Sequence, residues 1–370
     1  MKILLTNHFL LYFRGSELFS FEIARALTRK GHSVTVYSKY IYSDIYQLFH
    51  SNGIRIIYNL SDIKEEKFDI AHVHHNINAY EVRYYFPNLP IIFLSHGVIH
   101  EIEYPPIIDL GIRMYLAVSE EVKDNLIKLG IKEKMISLFR NGINSKVFYQ
   151  KKKINNLPRK ALIISTRLND EKKNIIISAL KKLGIEYQFI GGRFGWIPNK
   201  LLPYYINKAD IVFSLGRGAI EAMFCGRVPI IFDYLGGEGM VTPSNILKIM
   251  KFNFSGRCYK KEFNFSSLVG EIKKYRKEYG SKLQNITGQM FDIDNNIISL
   301  ISLYKQCILD FKHLNYKLYS SRLKHIVYLI GETKYITEQK EISKKEEGFW
   351  KRKLRRLRYE ILALKIFLGI

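Results

Sequence analysis

Cysteine and long apolar runs are scarce in this sequence of 370 residues. The three cysteines, Cys225, Cys258 and Cys307, are far apart and show no spacing typical of a metal site. We therefore expect reduced thiols in a cytosolic protein, with Cys225 packed in the core. No stretch reaches 18 uninterrupted apolar residues, so a membrane-spanning helix is not expected.

The apolar N-terminus lacks the features of a secretory signal. One basic residue precedes the apolar run, His8 interrupts the run, and no small-residue cleavage site follows it. We therefore interpret residues 1–6 as a buried first strand.

Acidic residues are strongly outnumbered, with 34 Asp and Glu against 58 Lys and Arg, which gives a net charge of +24. Residues 313–370 carry +8 of this charge and residues 1–312 carry +16. Such a field attracts nucleic acid, acidic lipids or phosphorylated substrates. No zinc-ligand spacing, RNA-binding signature or basic region joined to a zipper is present, so nucleic acid is not the expected partner.

Short apolar runs alternate with helical patterns along most of the chain, which predicts parallel α/β sheets. The length favours two domains. The basic stretch 150–158 looks like a linker, and a helix at 295–311 could return to the first domain. We predict domains at 1–150 and 151–312 and a helical basic tail at 313–370. The predicted strands are 1–6, 33–37, 54–58, 69–72, 91–94 and 115–118, then 161–166, 187–190 and 210–213.

Polar residues just after the strands are the candidate ligand contacts, because such sheets bind ligands at the carboxyl ends of their strands. Gly15 and Ser16 allow a tight turn with Ser16 capping a helix, although, taken alone, they favour an ordinary strand-to-helix loop. His96 follows a strand beside a glycine. The three neighbouring histidines 72, 74 and 75 have no carboxylate or cysteine partner in the pattern, which favours polar loop lining over metal binding.

The second half places basic and glycine-rich segments at strand ends. Arg167 and Lys172 follow a strand, where an anionic ligand would lie, although a solvated charge run is the alternative. Residues 214–245 read as a glycine-rich turn, a short helix with Glu221 in it, a buried strand and a second glycine-rich turn. Two such turns predict a pocket for a phosphate-bearing ligand.

The last segment, residues 349–370, has the pattern of a basic amphipathic helix. Six of the eight residues 351–358 are Lys or Arg. This favours contact with an anionic membrane surface, and the alternative is packing on the protein itself or on a second copy as a short coiled coil. The apolar positions are spaced by four and three residues, at Trp350, Leu354, Leu357, Ile361, Leu364 and Leu368.

Eight fragments in order resemble retaining glycosyltransferases of family 4, over about residues 1–260. They are RGSE, ARALTRKGHSVTVYS, DIAHVHH, SHGV, AVSEEVKDNLIKLGI, RNGINSKVF, STRLNDEKKN and ADIVFSLGRGAIEAMFCGRVPII. The resemblance implies the GT-B fold, which has two facing Rossmann-like domains. It also implies transfer of a sugar from a nucleotide-sugar such as a UDP- or GDP-sugar, with retention of configuration and with neither a metal nor another cofactor.

The resemblance also implies roles for individual residues. His96 matches a histidine that contacts the donor sugar near the reacting carbon. Arg167 and Lys172 match the basic pair that neutralises the donor diphosphate, and Glu221 matches a ribose-binding glutamate. The remaining donor-side positions are Gly15 and Ser16, which face the diphosphate, and Gly237 and Gly239, which form a wall near the donor.

One position departs from the family pattern. The first glutamate of a paired-glutamate motif is expected eight residues before Glu221, and that residue is Phe213. A related subgroup has a similar GR-x-A-x-EA turn and a later G-x-VTP-x-N. We therefore predict that Arg217 and the amides after it, including Gly218, take over phosphate or sugar contacts.

The expected function is glycosyl transfer to a glycan or lipid-linked acceptor, in surface polysaccharide or glycolipid synthesis at the inner membrane face. Phe213 leaves open a catalytically silent protein of the same fold that binds a sugar nucleotide and a partner. A sugar-nucleotide epimerase would need acid/base carboxylates in the cleft, and the sequence does not place them.

Overall fold

The computed structural model describes residues 1–13, 15–191, 194, 199–234, 236–312, 323 and 326–327. They form two α/β lobes, each with its own hydrophobic core. The α/β fold with parallel sheets predicted from the sequence is confirmed. The amphipathic helix predicted at 349–370 lies outside the described residues.

The first lobe is built on a seven-stranded parallel sheet. Its strands are short and aliphatic, as expected for strands covered on both faces. In spatial order they are β5 (Arg55–Ile57), β3 (Ser33–Tyr37), β1 (Lys2–Thr6), β6 (Ile70–Val73), β7 (Ile91–Ser95), β8 (Met114–Ala117) and β9 (Ile136–Leu138). Chain order reverses between β1 and β6, where doubly wound sheets bind their ligands. A separate ribbon pairs β2 (Phe9–Leu10) with β4 (Tyr40–Ile41).

The helices of the first lobe bury one apolar side each. In α1 (Gly15–Arg29) the residues Phe19, Ile23 and Leu27 recur every four positions and are fully buried. The other three helices are α2 (Ser43–His50), α3 (Asn76–Tyr85) and α4 (Glu120–Lys128). The predicted cap of α4 is confirmed, because the side chain of Ser119 accepts a hydrogen bond from the Val122 amide.

The predicted capping role of Ser16 is wrong. The helix begins at Gly15, so Ser16 already has helical backbone. Its hydroxyl donates a hydrogen bond to the carboxylate of Glu17 at 2.9 Å and is not used as a cap. A cap must stand one position before the helix with non-helical backbone.

The second lobe has a five-stranded sheet that is parallel except at one edge. The segment predicted as a second glycine-rich turn is a strand, because its residues pair antiparallel with the preceding strand after a two-residue connection. In spatial order the strands are β11 (Glu186–Ile190), β10 (Lys160–Ile164), β12 (Ile211–Phe213), β13 (Val228–Asp233) and β14 (Gly236–Met240). Here chain order reverses between β10 and β12.

Helices cover the second sheet and then lead the chain back. They are α5 (Asp170–Lys182), α6 (Leu202–Lys208), α7 (Arg217–Phe224), α8 (Ile246–Met250), α9 (Phe265–Lys273), α10 (Lys277–Phe291) and α11 (Ile293–Lys312). As predicted, α11 returns to the first lobe. Its residues Ile297, Leu300 and Tyr304 are fully buried in the core of that lobe, which Leu323 and Ile326 also join.

The chain crosses between the lobes twice, and the crossings are hydrogen bonded to each other. Phe139 belongs to the first core and Ile143 to the second. The Ile143 amide donates to the Phe291 carbonyl at 2.7 Å, and the Ile293 amide donates to the Ile143 carbonyl at 3.0 Å. The two segments therefore run side by side where the lobes join.

Residues 150–158, which the sequence suggests as a linker, are attached to the second lobe. The carboxylate of Asp210 accepts hydrogen bonds from the amides of Asn155, Arg159 and Lys160. The Lys151 amide donates to the side chain of Asn207 at 2.7 Å. The domain limits 1–150 and 151–312 remain predictions.

Candidate functional site

Arg167 and Lys172 come together at the carboxyl edge of the second sheet, around Tyr234. The Arg167 guanidinium donates to the Tyr234 hydroxyl at 2.7 Å and lies 5.3 Å from the centre of its ring. The buried Lys172 ammonium donates to the Tyr234 carbonyl at 3.2 Å and pairs with Glu262 at the same distance. Two cations therefore lie at one strand end, which is the arrangement that an anionic ligand requires.

A buried Ser–Asp pair holds the loop that carries Arg167. The Ser165 hydroxyl donates to the carboxylate of Asp233 at 2.8 Å and accepts from the amides of Arg167 and Leu168. Burial raises the pKa of Asp233, and the hydroxyl of Ser165 acts in the opposite direction. Ser165, Asp233 and Tyr234 were not predicted from the sequence, since their contacts join segments more than sixty residues apart.

Arg217 and Glu221 form a buried ion pair on the first two turns of α7. The Arg217 Nε atom donates to Glu221 Oε1 at 2.7 Å, and its Nη1 atom donates to the Gly142 carbonyl at 3.1 Å. The residues are 8% and 3% exposed. Burial raises the pKa of Glu221, while Arg217 opposes that shift. The i, i+4 spacing was a signal for this pair in the sequence.

The turn before α7 is short and glycine-dependent. Gly216 has φ +53° and stands directly before the helix. A Cβ atom on Gly218 would lie 2.3 Å from the Ser214 hydroxyl, so a larger residue there would have to displace that hydroxyl. Phe213 ends β12 and is fully buried in the second core, where it cannot contact a ligand. The contacts of Arg217 and Gly218 with a donor remain predictions.

Gly237 and Gly239 lie inside β14, and close packing within the second lobe requires both. A Cβ atom on Gly237 would lie 2.3 Å from the Ile231 carbonyl oxygen. Gly239 has φ +81°, and a Cβ atom there would lie 2.4 Å from the carboxylate of Glu271. Their predicted role as a wall near the donor is separate from these packing contacts and stays a prediction.

His96 joins a buried polar group at the carboxyl edge of the first sheet. Its Nε2 atom lies 3.1 Å from His74 Nδ1, which lies 2.9 Å from the Ser20 hydroxyl. Phe19 of α1 packs edge-on against the His96 ring at 6.0 Å. Burial lowers the pKa of His96 to about 4, so the ring is neutral at pH 7. Gly15 lies at the start of the same helix, with open space around it.

The other histidines at this edge have separate partners. His72 Nδ1 lies 2.6 Å from the Tyr304 hydroxyl of α11, and His75 Nδ1 accepts from the His8 amide at 3.0 Å. Burial lowers the pKa of His8 and His72 to about 3. Among the residues that the structure describes, no three His, Cys, Asp or Glu side chains are arranged to hold a metal ion.

The two lobes are linked across the cleft by Arg257 and Glu121. Arg257 of the second lobe donates to Glu121 of α4 through Nε at 2.8 Å and Nη2 at 2.5 Å. The Glu121 amide donates to the Lys251 carbonyl at 2.9 Å. A cavity of about 490 Å³ adjoins this link, lined by Val98, Glu120, Glu121, Asp124, Asn125, Lys128, Lys251 and Phe252.

Two glutamates near Arg257 were missed by the sequence analysis. Burial raises the pKa of Glu103, on the loop after His96, to about 7, and that of Glu238 in β14 also to about 7. Glu238 is 1% exposed and accepts from the Cys258 amide at 3.0 Å. Neither glutamate occupies a motif position, so the sequence carried no signal for them.

Comparisons with known proteins bear on the class of this fold. Glycosyltransferase Family 4 matches residues 13–147, which is most of the first lobe. The solved structure of Anabaena HepE with UDP and glucose has a TM-score of 0.62 and 14% identity, covering 83% of this chain and 100% of that one. A Rickettsia africae glycosyltransferase has a TM-score of 0.61 and 16% identity, covering 83% and 98%.

A structure of another activity also matches. The UDP-GlcNAc 2-epimerase of Neisseria meningitidis, bound to UDP-GlcNAc, has a TM-score of 0.54 and 14% identity, covering 83% of this chain and 100% of that one. No curated protein sequence matches the chain. The chain therefore has an α/β fold that resembles the GT-B glycosyltransferases, and the fold alone does not separate sugar transfer from epimerisation.

Across the described part of the chain, no helix is both long enough and apolar enough to cross a lipid bilayer.

Proposed function

We propose that this protein is a glycosyltransferase that moves a sugar from a nucleotide-sugar donor to a glycan or lipid-linked acceptor. The observation that carries the proposal is the convergence of Arg167 and Lys172 on Tyr234, at the edge of the second sheet where chain order reverses. The match of the first lobe to Glycosyltransferase Family 4 and the likeness to UDP-bound HepE support it.

The paired cations suit the departure of a diphosphate. In the proposed reaction the bond between the sugar carbon and the diphosphate oxygen breaks, and its electron pair leaves with the diphosphate. Arg167 and Lys172 stabilise the negative charge that develops there, and a metal ion is not needed for that task. The acceptor oxygen bonds to the same face of the carbon, which retains configuration, and its proton passes to the departing phosphate.

A panel of UDP-, GDP- and CMP-sugars incubated with membrane lipid extract tests the proposal. We expect nucleotide release with one donor, reduced about 100-fold in Lys172→Ala, as for other losses of transition-state charge stabilisation. Lys182→Ala, at the exposed far end of α5, is the matched control and should keep full turnover. Binding without release would contradict transfer, and a changed sugar configuration without transfer would indicate an epimerase.

The alternative is a catalytically silent protein of the same fold that binds a sugar nucleotide and a partner at the membrane. The observation that favours it is Phe213, which is fully buried where the family pattern expects a sugar-binding glutamate. The same panel separates the two functions, because a silent protein binds the nucleotide sugar and leaves it intact.

We further propose that the protein acts on the inner face of the cell membrane, in polysaccharide or glycolipid synthesis. The basic amphipathic pattern of residues 349–370 and the +24 net charge support this location. Truncation after Gly348 should move the protein from the membrane to the soluble fraction while UDP binding is kept. A truncated protein that still sediments with membranes would contradict the proposed anchor, and a change from dimer to monomer would identify the tail as a coiled coil.

A further inference from the structure

The loop between β12 and α7 offers no carboxylate to a sugar. It consists of Ser214, Leu215 and Gly216, directly after the buried Phe213. The guanidinium of Arg217 already contacts Glu221 and the Gly142 carbonyl. Sugar hydroxyls held in a cleft require acceptor groups, and carboxylates provide strong ones. Another part of the cleft must therefore supply them if a sugar binds here.

Glu103 of the first lobe lies beside the residue that follows His96. A Cβ atom on Gly97 would come within 2.5 Å of Glu103 Oε2, so the carboxylate rests against the Gly97 backbone. The φ angle of Gly97 is not positive, so a side chain at this position would act by displacing the carboxylate and not by straining the backbone. The glycine after His96 thus leaves room for this carboxylate.

The carboxylate of Glu103 is half-buried and still accessible from the cleft. Within the described part of the chain, no side chain or amide donates a hydrogen bond to it. Burial raises its pKa to about 7, and the approach of Arg257 from the second lobe acts in the opposite direction. An accessible carboxylate that faces the other lobe and has no donor of its own can accept hydrogen bonds from a ligand in the cleft.

We propose that Glu103 is a specificity-determining residue that accepts hydrogen bonds from hydroxyl groups of the transferred sugar. It would supply from the first lobe the carboxylate that Phe213 does not supply from the second. The proposal rests on the proposed glycosyl transfer, and it states that Glu103 contacts the sugar part of the donor. The nucleotide half of the donor lies on the second lobe and does not involve Glu103.

Calorimetric titration separates binding of the nucleotide from binding of the sugar. One ligand is UDP, and the other is UDP-glucose or the donor that is turned over in the panel above. Glu103→Ala should leave the affinity for UDP within about twofold and weaken the affinity for the nucleotide sugar about tenfold or more, since a charged acceptor is lost. Gly97→Ala displaces the carboxylate without removing it, so it should also weaken the affinity for the nucleotide sugar more than the affinity for UDP.

The pH dependence supplies a readout that a structural role would not move. The affinity for UDP-glucose, whose diphosphate does not titrate in this range, should rise between pH 6 and pH 8 as Glu103 ionises, and this rise should be absent in Glu103→Gln. The charged group that acts on Glu103 is Arg257, which stays ionised throughout this range, and the pKa of His96, about 4, lies below it. Glu238→Gln is the matched control, because Glu238 also has a pKa of about 7, and it should keep the rise.

Failure of this assignment and failure of the proposed function give different results in these experiments. Unchanged affinity of Glu103→Ala for the nucleotide sugar would overturn this assignment while leaving glycosyl transfer in place. Equal loss of UDP and UDP-glucose binding would show that Glu103 supports the fold, and would overturn the assignment as well. A wild-type protein that binds no nucleotide or nucleotide sugar would instead contradict the proposed function itself.

Discussion

Between pH 7 and pH 5 the protein should lose about 2 kcal/mol of unfolding free energy for each of the three histidines His8, His72 and His96, whose pKa values are lowered by folding. Their pKa values in the folded protein are about 3, 3 and 4, against 6.5 when exposed. The unfolded chain therefore binds more protons than the folded chain in this range. Stability is fully present above pH 6.5 and falls as the pH falls towards 4.

Buried glutamates oppose this loss, so the histidine contribution is best measured through variants. Folding raises the pKa values of Glu103 and Glu238 to about 7. Between pH 7 and pH 5 the folded chain therefore binds more protons at these two groups than the unfolded chain does, which adds stability as the pH falls. Urea unfolding of wild type and His72→Gln at pH 7 and pH 5 isolates one histidine. The stability difference between them should shift by about 2 kcal/mol in favour of the variant.

The matched control for this measurement is His50→Gln, at the exposed end of α2. It should follow the wild-type pH profile. If His72→Gln also followed the wild-type profile, the ring would be protonated at pH 5 in the folded protein, and its buried neutral state would be disproved.

Replacing Arg217 by alanine should destabilise the protein by about 3–5 kcal/mol, because Glu221 is left buried and without its partner. The pair joins at 2.7 Å, and both residues are more than nine-tenths buried. The double variant Arg217→Met/Glu221→Leu should recover most of the loss, since no buried charge remains. Urea unfolding of the single and double variants measures both effects.

A control for the ion pair is Lys160→Ala, which removes the exposed pair of Lys160 with Glu186 at 3.0 Å. Its effect should stay below about 1 kcal/mol. A similarly small effect of Arg217→Ala would mean that Glu221 reaches solvent or is protonated without cost. Titration of the folded variant with UDP tests the donor contact predicted for Arg217, and unchanged affinity would refute it.

Local patterns predicted the elements of this fold well. The alternation of apolar runs and helices located the strands, and Ser119 marked the start of α4 because its cap depends on residues within one turn. The pairing of Arg167 with Lys172 at a strand end also followed from the sequence, since both lie just after one strand. These features depend on short spacings, which a sequence displays directly.

The missed features depend on contacts across large separations or on the direction of a side chain. Tyr234 meets Arg167 from 67 residues away, and Glu103 meets Arg257 only where the lobes face each other. The contacts of the Arg217 guanidinium with Glu221 and with the Gly142 carbonyl were also missed, and its contact with a donor stays a prediction. Gly237 and Gly239 suggested a turn, but close packing against Ile231 and Glu271 places them in a strand.

The side-by-side crossings at Ile143 and Ile293 define how the cleft can move. Because both connections pass through one hydrogen-bonded site, rotation of the lobes requires bending there and not sliding along the interface. Opening separates Arg257 from Glu121, whereas the bond between His72 and Tyr304 moves with the first lobe. The protein therefore resembles a hinged clamp, and the ion pair of Arg257 with Glu121 is one of the described contacts that must break for the clamp to open.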